Sequence, residues 1–175
     1  MQVEPEVRVF ERFTVPVEVV VRCATQDDLD DMEWFGRFTH HREIIEEAYE
    51  RQEEGTNVML VADVNGAPVG QVWIDLERKA DEGIGVLWAI RVFPWFRNMK
   101  IGSHLSQAAE RLLCRRGYRY AELGVEKLNA AARRFYERHG YEVVGELHET
   151  YDYTTPSGRH VHTGLDEWTM RKRVG

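Results

Sequence analysis

Cysteine is nearly absent. Only Cys23 and Cys114 occur among 175 residues, which excludes a disulfide framework, and they have no metal-ligand spacing. Both read as small residues in or beside the core. A cationic excess is missing too: 23 Lys and Arg stand against 30 Asp and Glu, for a formal net charge of −7. That balance argues against general affinity for nucleic acid or anionic membrane and favours cationic partners. No apolar run approaches the length that spans a bilayer, and the first six residues, MQVEPE, lack the basic and apolar regions of a secretory signal. A cytoplasmic protein is the expectation. There is no internal repeat, low-complexity tract or linker, so 17–172 reads as one domain preceded by an arm or edge strand at 1–16.

What is present is a clear alternation of patterns. Residues 17–23 are rich in β-branched side chains and predict a first strand. Thr25 stands as a helix cap ahead of a run reaching 32, with acids near its start. Within 41–54, Ile44, Ile45, Ala48 and Tyr49 recur at helical spacing, and Gly55 is the stop. Asn65 and Gly66 predict a two-residue hairpin turn between strands at 58–64 and 68–76. Further strands are expected at 84–93, 120–125, 141–154 and 161–171, with a turn at Thr155, Pro156, Ser157 and Gly158 between the last two. Early antiparallel hairpins followed by strand-helix-strand units describe an α/β fold, a mixed sheet with helices packed on its faces.

Between Val92 and Leu105 an apolar run stops at Pro94, crosses a short loop and turns helical. Ile101, Leu105, Ala108, Ala109, Leu112 and Leu113 recur every three or four residues and line one helix face. Free loop N–H groups and the positive end of the helix dipole make such a turn a site for phosphate or another anion. Gly102 lets a ligand approach the backbone at the first helical turn.

Val92-x-Pro94 followed by Arg97-x-x-x-x-Gly102 resembles the acetyl-CoA signature Arg/Gln-x-x-Gly-x-Gly/Ala of the GNAT superfamily of N-acetyltransferases, with Lys100 where the first glycine is expected. Downstream, Asn129, Ala132, Tyr136, Glu137, Gly140 and Tyr141 resemble the family pattern Asn-x-x-Ala-x-x-Leu-Tyr-Glu-Lys-x-Gly-Phe in order and separation. Asn129 can cap a helix there and Gly140 can end it in the left-handed conformation. The two blocks cover 84–141.

The resemblance implies a mostly antiparallel central sheet with helices on both faces, whose central strands splay into a cofactor cleft. It implies that backbone groups of Ile90, Arg91 and Val92 hold the pantetheine arm of acetyl-CoA. Arg97, Asn98, Met99, Lys100, Ile101, Gly102 and Ser103 would then surround the pyrophosphate. Asn129 either touches the cofactor or only caps its helix. Tyr136 matches the family tyrosine beside the CoA sulfur, a general acid for the departing thiolate, against the plainer reading of a buried aromatic. In several members a glutamate starts the strand before the signature, but register places Ile84 at that point, and Ile84 takes no proton. Glu82, two residues earlier, is the candidate base, directly or through water, if the strand persists that far; otherwise it is a solvated loop carboxylate. Asp75, Glu33 and His41 are other choices.

Arg133 and Arg134 read either as contacts to the CoA 3′-phosphate or as a solvated helix face. His160 and His162 share a strand face without an evident third ligand, so no metal is expected. Trp34, Phe35 and Phe38, beside His40 and His41, are either core or a substrate wall. The acids Glu33, Glu43, Glu46 and Glu47 favour a small cationic amine as acceptor. A protein N-terminus or lysine is the alternative acceptor, and an acyl-CoA-binding regulatory module the alternative without catalysis. A homodimer stays open; nucleic acid and membrane are not expected as partners.

Overall fold

The computed structural model describes residues 11–154 and 160–175. Seven strands form one sheet: β1 Val20–Cys23, β2 Asn57–Val64, β3 Ala67–Lys79, β4 Ile84–Val92, β5 Tyr120–Glu126, β6 Glu142–Thr154 and β7 His160–Arg173. Their spatial order is β1-β2-β3-β4-β5-β7-β6, and only β4 and β5 run parallel. Among the described residues three α-helices flank the sheet: α1 Arg42–Glu53, α2 Ile101–Arg115 and α3 Ala130–Arg138.

Period-two alternation on the hairpin strands sorts the core into two layers. Val58, Leu60 and Ala62 of β2 and Val72 and Ile74 of β3 bury with Ile101, Leu105, Ala109 and Leu113 of α2 and with Tyr136 of α3. Met59, Val61 and Trp73 turn to the opposite face, against Ile45 and Ala48 of α1. Burying each large side chain stabilises the fold by about 1.5–3 kcal/mol. Packing of α2 is close enough that a Cβ added at Gly85 of β4 would lie 2.1 Å from Leu113 Cδ2.

The hairpin expected at Asn65 and Gly66 forms, with φ of 52° and 87° as a primed turn requires. Gly55 and Gly140 end α1 and α3 at φ of 82° and 85°. The helix expected after Thr25 does not form; two 3-10 turns, Gln26–Asp28 and Asp31–Glu33, take its place. Asp28 accepts the N–H and hydroxyl of Thr25 and both terminal nitrogens of Arg22. These local bonds hold the first turn tight against an edge strand and compete with helix propagation. Both cysteines are exposed, correcting their core assignment: Cys23 ends the edge strand and Cys114 lies outside the buried stripe of α2. Residues 11–19 carry no regular structure, and the expected turn at 155–158 lies outside the described residues.

Candidate active site

The parallel pairing of β4 with β5 begins at Ile84 and Tyr120 and ends at Leu87 and Leu123. Both strands continue, β4 to Val92 and β5 to Glu126, but no pairing joins them further. The sheet therefore opens where the signature strand approaches its loop. A bulge accompanies the opening: Ala89 has φ of 49°, and the register against β3 shifts between Trp73↔Trp88 and Gln71↔Arg91. Bulges bend a strand and increase its twist, which turns the end of β4 away from β5. Gln71 donates its side-chain amide to the Ala89 carbonyl at 3.1 Å and so fixes the bulge from the neighbouring strand.

At the far end of β4, Pro94–Phe96 make one 3-10 turn and the chain enters α2 through Arg97 to Lys100. Asn98 and Lys100 both sit in the left-handed region, at φ of 63° and 62°. The Lys100 conformation explains the family glycine there, since only glycine adopts it without steric cost. The amides of Asn98, Met99 and Lys100 donate to no other group among the described residues. The first intrahelical bond of α2 runs from the His104 N–H to the Lys100 carbonyl, so the N–H groups of Ile101, Gly102 and Ser103 have no helical partner. Successive free amides at a 15-residue helix start fit a pyrophosphate. Arg97 is exposed and folds its Nε onto the Val92 carbonyl at 3.3 Å.

The helix that carries Tyr136, α3, meets the α2 start: a Cβ added at Gly102 would lie 3.7 Å from Phe135 Cζ. Asn129 caps that helix, accepting the Ala132 N–H at 3.0 Å. The Tyr136 ring is 7% exposed and packs edge-on against Phe135 and Tyr141. Its hydroxyl has no partner among the described residues, yet is not among the sealed polar atoms of the interior, so it reaches accessible space. Burial pushes the phenol pKa up, which keeps the group protonated.

Glu82 is not brought to this place. The strand does not persist through it: Ala80–Glu82 form a 3-10 turn closed by Gly83 at φ of 71°, and the carboxylate is exposed at the opposite end of β4 from the loop. Asp75 is engaged by Arg51 at 3.0 Å and by the N–H groups of Glu77 and Arg78. Glu33 is buried and paired with Arg42 at 2.5 Å. The carboxylate that does border the opening is Glu167 of β7, which sequence reasoning missed. A Cβ added at Gly124, the first β5 residue past the last β4 pairing, would lie 2.1 Å from Glu167 Oε2. The only local signal was a glycine inside a strand, a mark of close approach by another group.

The aromatic segment divides. Trp34 is core, donating to the Pro68 carbonyl at 2.8 Å and meeting Phe93 edge-on, while Phe35 is 94% exposed. Phe38 is half-buried, with the Arg91 guanidinium 4.1 Å from its ring centre. His41 is half-buried, its pKa lowered by burial and then by the like charges of His40 and Arg91. Arg133 pairs with Glu137 at 2.8 Å and lies 5.1 Å from the Trp168 ring centre, and Arg134 is exposed beside it. Among the described residues no group of three or more His, Cys, Asp or Glu side chains is placed to hold a metal ion; the side chains of His160 and His162 lie outside those residues. No described helix is long and apolar enough to cross a membrane.

This geometry has counterparts. Residues 25–141 match the Acetyltransferase (GNAT) family. An uncharacterised N-acetyltransferase of Archaeoglobus fulgidus is 33% identical over 135 residues, covering 66% of this chain and 88% of that protein. A second, from Methanocaldococcus jannaschii, is 32% identical over 140 residues, which span 70% of this chain and 60% of the relative. An N-acetyltransferase from Staphylococcus aureus Mu50 superposes with a TM-score of 0.71 at 17% identity, covering 90% of this chain and 99% of that one. The PaiA N-acetyltransferase of Thermoplasma acidophilum, solved in complex with coenzyme A, gives 0.61 at 17% identity over 89% and 99%. With the signature loop, the opened sheet and the Tyr136 helix in their expected order, the chain belongs to the GNAT family of acetyltransferases.

Proposed function

We propose that the chain transfers an acetyl group from acetyl-CoA to the primary amine of a small molecule by direct attack. The observation that carries this reading is the opening of β4 from β5, together with the free amides at the start of α2, which α3, the helix of Tyr136, meets through Phe135 and His139. The backbone of 90–92 and the amides of 98–103 would hold the pantetheine and pyrophosphate, and the thioester supplies an activated acyl carbon. The amine nitrogen bonds to that carbon, the carbon–sulfur bond breaks, and Tyr136 gives its proton to the sulfur. Glu167 takes the proton that the amine loses, directly or through water, and solvent returns a proton to Tyr136. Glu82 stands too far along the strand to serve this step directly.

The acids that suggested a cationic acceptor do not gather at the opening. Glu33 is held by Arg42, and Glu43, Glu46 and Glu47 are exposed on α1. We therefore keep the small-molecule amine and leave out the preference for a cation. A thiol-release assay with acetyl-CoA against small amines and N-terminal or lysine peptides tests the reading. Turnover confined to peptides would transfer the acceptor to protein; CoA binding without turnover on any amine would make the domain a binding module.

A further inference from the structure

On the α1 face, beside the opening, three polar atoms have no partner among the described residues. Arg91 Nε, Trp73 Nε1 and Gln71 Oε1 are all sealed from solvent and make no hydrogen bond. They belong together: Gln71 and Arg91 are register partners on β3 and β4, Trp73 is two residues along the same face, and the Arg91 guanidinium lies 5.9 Å from the Trp73 ring. The Gln71 amide is oriented by its neighbour, because reversing it would set oxygen against the Ala89 carbonyl now 3.1 Å from Nε2. Gln71 and Trp73 are 1% and 0% exposed, so these atoms cannot turn to bulk water.

The guanidinium is the decisive group. It is stacked on Phe38 and has no carboxylate partner among the described residues. Arg91 is half-buried and only its Nε is sealed, so a carboxylate that reaches the terminal nitrogens from the open side meets a cation with no counter-ion among the described residues. The rings nearest Phe38 on its own segment are His40 and His41, which supply no carboxylate to the guanidinium. Two donors and one acceptor match a carboxylate carried next to an amine. The terminal nitrogens of Arg91 would meet the carboxylate oxygens, and the Trp73 N–H and Gln71 Oε1, sealed behind them, would be reached as the side chains part around the ligand, Gln71 accepting an N–H from the amine while the amine lone pair stays free for attack.

We propose that Arg91, Trp73 and Gln71 form a binding site for the carboxylate of an amino-carboxylate acceptor, an amino acid or close analogue, whose amine is thereby presented at the opening between β4 and β5. The inference rests on the acetyl-transfer reading and names its substrate class. It reverses the charge expected of the acceptor from composition.

The test pairs amino acids with the amines they give on loss of the carboxyl group: phenylalanine with phenethylamine, tyrosine with tyramine, lysine with 1,5-diaminopentane. Thiol release should favour the amino acid of a responsive pair by about 10- to 100-fold in kcat/KM, the range of one charge-assisted bond. Arg91→Met should remove that preference through a raised KM, and Arg91→Lys, which keeps the charge but not the fork, should restore only part of it. Circular dichroism establishes that each variant folds. Equal use of both members of every pair, or a preference unchanged in Arg91→Met, overturns the proposal. If CoA binds but no amine turns over, the acetyl-transfer reading fails on its own. Calorimetric titration of the same amino acids onto the CoA complex then decides the anion site: binding lost in Arg91→Met upholds it, and no binding to the unaltered protein ends it.

Discussion

Ser103 Oγ, in the first turn of α2, lies 2.9 Å from Nε2 of His139, the residue that closes α3. The other ring nitrogen is 2.8 Å from the Phe135 carbonyl, so Nδ1 carries the proton and Nε2 accepts from the Ser103 hydroxyl. One imidazole thus ties the helix start with its free amides to the helix that carries Tyr136. Replacing His139 with Ala should cost about 1 kcal/mol of stability and weaken CoA binding several-fold, because Ser103 loses its orientation. Thermal melts and CoA titration measure the two effects, and an unchanged affinity would leave the contact purely structural.

Tyr136→Phe keeps the ring packing against Phe135 and Tyr141 and removes only the hydroxyl. A general acid contributes roughly 10²–10⁴-fold, so kcat should fall by that order while CoA affinity holds. Thiol release and direct titration separate the outcomes. If both fell together, the hydroxyl would be a binding group and the proton donor would lie elsewhere.

The same burial sets an alkaline limit. The pKa values of Tyr136 and Tyr141 are raised, by burial first and, for Tyr141, also by Glu110. Below about pH 10 both phenols are protonated in folded and unfolded chains alike. Above it the unfolded chain releases protons that the folded one retains, so stability declines as pH rises toward the folded values. Urea midpoints should fall between pH 9 and pH 11, and less in Tyr141→Phe.

Lys100 occupies a left-handed backbone position at the start of α2. Glycine there should relieve roughly 1–2 kcal/mol of strain. Lys100→Gly is expected to raise the melting temperature while removing an ammonium from the proposed phosphate site. A CoA affinity that rises with the stability would show that strain outweighs any phosphate contact.

Gly85→Ala should destabilise the fold by about 1–3 kcal/mol, since the new methyl meets Leu113 inside the β4–α2 contact. A chemical-denaturation midpoint equal to that of the parent chain would show that α2 shifts freely.

Local chemistry made much of this fold legible. Asn65 and Gly66 specify a turn by their own backbone preferences, Asn129 and Gly140 bound α3 by capping, and the stripe from Ile101 to Leu113 names the buried face of α2. The failures arise where distant groups decide. Arg22, on an edge strand, draws Asp28 into a tight turn that no local pattern reveals. Gly83 ends the strand that would have extended to Glu82. Arg91 entered as a backbone contact, and its side chain gained meaning only once Phe38 and Gln71 were placed around it.

The short pairing from Ile84 to Leu87 makes the sheet two leaves on a narrow spine, β1 to β4 on one side and β5, β7 and β6 on the other. A leaf held along four residues can change its angle without breaking its own hydrogen bonds, and a molecule seated in the gap fixes that angle from inside. Cofactor loading should therefore register as stiffening far from the phosphate loop, with amide exchange slowing at the ends of β4 and β5 in step.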